Sequence, residues 1–336
     1  MAKGVVAGLM RCNLRVHNRV FHTLDLMRGI AAAFVLLAHG GFWTGGAAFM
    51  AVDLFFCLSG FVIAHAYDAT LPGTAGFMKK RLIRLYPLFI LGLLLGGMAE
   101  AAKIAFEYPT ALEPGQLVVS LAAGSIMLPS PVTVGLFPAN PPSWSVLFEL
   151  GVNLLYGVFF TRLSSRVLLA VLCASALGVI YAIATAGTLS VGHAWSDVLL
   201  GIPRVVFPFT AGVLLYRHGV RLSWLGWWAP CVALAVVLGV IPPGSLTEGV
   251  IALCVVPLLV AWGAGVEPRF VRTARTVGVA SYSIYILHYP LIQAAGYLTD
   301  SKAVMGVVLA AFVAGCCVLD RMYDAPIRRA LRTVAS

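Results

Sequence analysis

Charge is scarce in this 336-residue chain. Asp, Glu, Lys and Arg together make up 11% of it, about half of the ~25% usual for soluble domains. A surface so poor in charge cannot clothe a soluble globule of this size. The seven cysteines (Cys12, Cys57, Cys173, Cys231, Cys254, Cys316 and Cys317) are odd in number and contain no C-x-x-C pair. That spacing argues against a zinc site or a disulfide framework, and six of the seven sit in apolar stretches, where they read as buried thiols. No Walker A loop occurs, which argues against an ATP-driven pump. No small-residue cleavage pattern follows Arg11, Arg15 and Arg19, and Asp25 and Arg28 interrupt the apolar run behind them. The first helix is therefore expected to be retained, not removed as a signal peptide. Tandem repeats, a low-complexity tail and a soluble catalytic domain are also lacking. The chain reads as one membrane-embedded domain over 1–336, with a basic N-terminal segment (1–23) and a basic tail (321–336).

What the chain has in excess is apolar surface. Hydrophobic residues are 60% of the sequence, and the mean hydropathy is +0.94. Lipid is then the solvent for most of the exterior, and the expected fold class is an all-α polytopic membrane protein. Ten apolar segments are long enough to span: 24–43, 47–67, 85–104, 143–161, 167–186, 198–216, 223–241, 248–264, 277–297 and 303–320. A further stretch, 116–129, is short and runs into Pro129 and Pro131; spanning and re-entrant readings both stay open from its length alone. Charge decides the count. If 116–129 does not cross, 19 of the 23 basic residues fall on one side, and Lys103 and Lys302 on the other. If it crosses, every later loop reverses and that sorting is lost. The positive-inside rule thus favours ten spans with both termini cytoplasmic. The net charge of +10 becomes a topology signal and not a sign of nucleic acid. Segment 105–142 becomes an outer loop, the natural platform for a non-cytoplasmic substrate.

Against this apolar background a few ionisable residues stand out: Asp25, Arg28, His39, Asp53, Glu149, Arg204 and His288. Such groups at membrane depth are costly and mark function by default. Arg28 and His39 are eleven residues apart, about 20° past three full helical turns and about 16 Å along the axis. One helix face can carry both, with the cation low and the imidazole high. Asp53 can hold an imidazole in one tautomer, or it can pair with Arg28 as an assembly bridge. Glu149 can bind a hydroxyl or assist a histidine. Ser59-Gly60 permits close helix packing, while Ser59 lacks the G-x-S-x-G surroundings of an activated nucleophile. Arg81 and Arg84 lie three apart on one helical face, which suits guanidinium forks on phosphate. Trp144 is expected as an aromatic anchor at the outer interface.

These motifs, in order, resemble the acyltransferase-3 family of integral membrane O-acyltransferases. The likeness rests on Leu24-Asp25-x-x-Arg28-Gly29 through His39, Val52-Asp53-Leu54-Phe55-Phe56-x-Leu58-Ser59-Gly60-Phe61, Arg81-x-x-Arg84-x-x-Pro87, Trp144-Ser145-x-x-x-Glu149, and Ser281-Tyr282-Ser283-x-Tyr285-x-x-His288-x-Pro290. It covers nearly the whole chain. It implies transfer of an acyl group, acetyl by default, from a cytoplasmic acyl-coenzyme A to a sugar hydroxyl of a cell-envelope or exported glycan, at the bacterial inner membrane. By the same likeness His39 is the essential histidine; an imidazole near carboxylates in a dry bundle further leads to the expectation that Asp53 or Glu149 orients it. Arg28, Arg81 and Arg84 serve the coenzyme, and Trp144, Ser145, Tyr282 and His288 face substrate. Acyl-coenzyme A is the expected co-substrate, with no metal. The expected partners are a carbohydrate acceptor and membrane lipid, a second copy of the chain is allowed, and nucleic acid is not expected. The rival reading is a transporter or exporter of a lipid-linked sugar, for which polar, broken spans also serve. It calls for inverted symmetry between halves, whereas the polar groups crowd the first four spans.

Overall fold

The computed structural model describes residues 20–334, so Cys12 and the N-terminal basic residues Lys3, Arg11, Arg15 and Arg19 lie outside the described residues. Among the described residues the regular structure is helical, with one isolated β-bridge between Gly135 and Ala194. The helices are α1 (His22–His39), α2 (Ala51–Tyr67), α3 (Gly73–Ala105), α4 (Pro114–Ser125), α5 (Ser143–Val158), α6 (Ser165–Ala186), α7 (Val198–Arg217), α8 (Trp228–Gly239), α9 (Ser245–Gly265), α10 (Val271–Leu298) and α11 (Lys302–Thr333). Each of the ten apolar segments falls on one of them. Seven (α2, α3, α5, α6, α7, α9 and α11) are long and apolar enough to cross a membrane. The other three are compromised for stated reasons. Helix α1 carries Asp25 and Arg28 within 18 residues. Helix α8 has 12 residues, about 18 Å of rise against ~30 Å of hydrocarbon. Helix α10 is 28 residues long, but its serines, tyrosines, His288 and Gln293 lower its hydropathy.

Contacts tie each end of the bundle together. At one end Arg217 donates to Asp68 (2.6 Å) and to the carbonyls of Phe160 and Leu163. There too the Thr74 hydroxyl donates to Gly157 O and the Thr23 hydroxyl to Val266 O. At the opposite end Trp43 donates to Gly239 O, Leu136 N to His193 O, and Trp195 to Ser130 O. Segment 116–129 supplies α4, which doubles back along α3: Leu121 fills the space over Gly97, and Leu93 packs on Gly124.

Helices α2 and α7 touch backbone to backbone. A Cβ on Gly60 would overlap the Phe209 carbonyl, and one on Gly212 would overlap the Cys57 carbonyl. This is the close approach that Ser59-Gly60 foreshadowed, and it is available only to residues without a side chain. Gly60→Leu is therefore expected to cost at least the ~1–3 kcal/mol of an overpacked core, read as a lower thermal midpoint of the detergent-purified protein. Gly151, whose Cβ position meets nothing within 4 Å, is the control: Gly151→Ala leaves the midpoint unchanged or raised.

Candidate active site

Helices α1, α2, α3, α5 and α10 enclose a cavity of about 250 Å³. Its polar lining is Arg28, Ser59, Arg81, Arg84, Ser145, Glu149, Ser281, Tyr282 and Tyr285, closed by Val52, Phe55, Phe56 and other apolar groups. The local sequence explains the convergence. Arg81 and Arg84 share a face of α3, and Tyr282 and Tyr285 share a face of α10. Gly278 lets α10 come against Asp25, one turn from Arg28 on α1, since a Cβ there would press on the Asp25 side chain.

Glu149 is the electrostatic node of the cavity. Its Oε1 accepts from Ser59 Oγ at 2.6 Å, from Arg81 at 2.7 Å and from Asn153 Nδ2 at 3.4 Å. One carboxylate so joins α2, α3 and α5. Arg81 Nε is buried with no acceptor. Arg84 lies over the Tyr282 ring, 5.3 Å from its centroid, and 3.6 Å from Asp324. The π turn Asp320–Asp324 within α11 brings Asp320 and Asp324 to Arg328, at 2.6 and 3.0 Å. Asp324 therefore lies between two guanidinium groups. Deeper in the cavity, Ser145 Oγ and Tyr285 Oη are 2.9 Å apart, and the Tyr282 hydroxyl donates to Leu85 O.

Asp53 is elsewhere. It is 1% exposed, and its carboxylate receives Arg204, itself 2% exposed, at 3.1 Å. Arg204 also donates to Val191 O and Phe49 O, and its guanidinium stands 5.3 Å from the Trp144 ring. Neither sequence option for Asp53 is realised, because the folded chain brings α7 and not α1 against it. Trp144 is likewise not an interface anchor: it is buried beneath Arg204 and edge-on to Phe148. Cys57 is fully buried and does not line the cavity.

His39 closes α1 at the far end from the arginines and is exposed. Neither Asp53 nor Glu149 touches it; those carboxylates are held by Arg204 and by the Ser59–Arg81 node. Its neighbour is His288, fully buried on α10. His39 Nδ1 lies 2.9 Å from Val35 O and 3.3 Å from His288 Nε2, and His288 Nδ1 lies 2.6 Å from Tyr285 O. Tyr285 lines the cavity, so a single stretch of α10 links the arginine cavity to His39. Glu100 belongs to none of the motifs above, and Lys103 was expected on the outer side. Both are buried on α3, paired at 2.5 Å, with Gln293 donating to Glu100. Their i, i+3 spacing was the available signal.

The acyltransferase-3 family model, an acyltransferase domain, matches residues 21–321. The chain belongs to this family. Among similar proteins, protein 2 in the picA locus of Rhizobium radiobacter is 37% identical over 176 residues, covering 47% of this chain and 91% of that protein. The putative membrane-bound transacylase BcsY of Komagataeibacter xylinus is 27% identical over 82% of this chain and 74% of its own length. The acyltransferase MdmB of Streptomyces mycarofaciens is 26% identical over 73% and 68%. No solved structure matches significantly. The protein is a multi-pass membrane acyltransferase. The Asp53–Arg204 pair is expected to act in its assembly: Asp53→Asn, which leaves Arg204 buried without its counter-charge, costs about 3–5 kcal/mol, read as a fall in thermal midpoint. An Asp53→Leu/Arg204→Met double variant recovers much of that loss.

Proposed function

We propose that this acyltransferase moves an acyl group, acetyl by default, from acyl-coenzyme A to a hydroxyl of a cell-envelope or exported glycan. In this reading the donor enters from the cytoplasmic face of a bacterial inner membrane, and the product serves the outer side. The observation that carries it is the gathering of Arg28, Arg81 and Arg84 around one cavity whose far wall, Tyr285, leads through His288 to His39. Arg81 Nε, a buried donor with no acceptor, fits a phosphate or thioester oxygen. A cavity of about 250 Å³ suits the narrow acyl-pantetheine arm, and the bulkier nucleotide stays at the arginine end.

The chemistry then runs as follows. His39 Nε2 takes the proton of the acceptor hydroxyl as its oxygen bonds to the thioester carbonyl carbon; that proton could not leave unaided at neutral pH. The tetrahedral centre collapses with cleavage of the C–S bond, and the thiolate receives the proton back from His39. Arg28 and Arg81 offer positive charge to the developing oxyanion and the phosphates. A relay through acyl-His39 uses the same nitrogen and differs in one observable, an acylated protein trapped when acceptor is withheld.

His39→Ala is expected to abolish acylation of envelope glycans in intact cells, measured by mass analysis; near-normal acylation would remove His39 from the mechanism. The Arg81→Ala/Arg84→Ala double variant is expected to bind labelled acetyl-coenzyme A at least tenfold more weakly. Unchanged affinity would take both arginines out of the donor site.

A further inference from the structure

His288 was expected to face substrate, but its two ring nitrogens are both engaged within the protein. Its Nδ1 is 2.6 Å from Tyr285 O. A carbonyl can only accept, so the hydrogen of a neutral His288 ring is on Nδ1, and Nε2 carries a bare lone pair. That lone pair is 3.3 Å from His39 Nδ1. The same His39 nitrogen is 2.9 Å from Val35 O, again an acceptor only. His39 is then also the Nδ1–H tautomer, donating to Val35 O and to His288 Nε2. Its remaining nitrogen, Nε2, is left without a hydrogen, on a residue that is exposed.

We propose that His288 is a positioning residue that fixes His39 as the Nδ1–H tautomer and so presents its bare Nε2 to the acceptor hydroxyl. The inference rests on His39 being the base. When Nε2 takes the hydroxyl proton, the imidazolium keeps its Nδ1–H on the same two acceptors, and its charge is shared with a buried lone pair without a second ionised group. The proton leaves Nε2 for the thiolate, and His288 neither gains nor loses one. Two features hold His288 in place. Pro290 lacks an N–H and frees the Ile286 carbonyl of its helical partner, and Asn140 Nδ2 donates to that carbonyl at 2.9 Å. The His39 and Tyr289 rings also meet edge to face at 6.0 Å between centroids.

The test uses the full-length protein in detergent or nanodiscs, with acetyl-coenzyme A and its acceptor glycan. His288→Leu is expected to lower kcat at least tenfold, within the ~10²–10⁴ that positioned proton transfer contributes, with the KM for acetyl-coenzyme A unchanged. His288→Gln, whose side-chain oxygen can accept where Nε2 stood, is expected to recover kcat to within about threefold. A Gln variant as slow as the Leu variant, with normal coenzyme binding, overturns the lone-pair role. Wild-type kcat in His288→Leu, with His39→Ala inactive, overturns the positioning role and leaves the base intact. Full activity in His39→Ala sinks the base itself. Nitrogen-15 NMR of the labelled imidazoles is independent of folding in any variant: it should show His39 protonated at Nδ1 in the wild type, and an Nε2–H signal there overturns the proposal.

Discussion

The buried Asp53–Arg204 pair is the constraint on which the rest of the site depends. A carboxylate and a guanidinium withdrawn from water must be satisfied in full, since an unpaired charge in that setting costs several kcal/mol. Arg204 meets that demand by reaching α2, the carbonyls of Val191 and Phe49, and the face of Trp144 at the head of α5. Three separate parts of the chain are so fixed in register. With α2 locked to α7 at one level, the bare backbones at Gly60 and Gly212 can meet farther along. Ser59, six residues on from Asp53 and about 9 Å along the helix, is then held against Glu149.

A second layer of electrostatics is built on that frame. Glu149 neutralises Arg81 and also binds α2 through Ser59, while Asp324 stands between Arg84 and Arg328. Arg81 and Arg84 are thus each held by a carboxylate on another helix, which orders long side chains that would otherwise lose affinity to entropy. The reacting end is built differently. Among the described residues no carboxylate bonds His39; its hydrogen-bond contacts are the Val35 carbonyl and the His288 ring. Charged groups gather at the arginine end, and uncharged hydrogen-bond partners surround His39.

Helix α10 joins the two regions. Tyr282 supports Arg84, Tyr285 walls the cavity, and His288 meets His39 within two turns. That concentration of polar groups is what keeps α10 from the apolarity of a simple span.

How much of this was legible beforehand varies with the physics involved. Hydropathy carried the helical membrane architecture, because bilayer thickness acts on linear sequence. The rarity of charge made Arg28, His39, Asp53 and Glu149 conspicuous, and helical spacing placed Arg81 with Arg84. Sequence spacing could not supply partners. Asp53 looked ready to serve His39 or Arg28, yet it meets Arg204, 151 residues away; Glu149 meets Arg81 and Ser59; His288 turned from substrate to His39. Each choice rests on which helix faces cross, and that is set by packing between residues far apart in the chain. The sequence by itself determined a membrane-spanning helical chain and the polar residues that matter in it. Only the tertiary structure decided which of them touch, because an ion pair or a hydrogen bond is a relation between side chains a few ångströms apart in space, at a distance along the chain that no local pattern records.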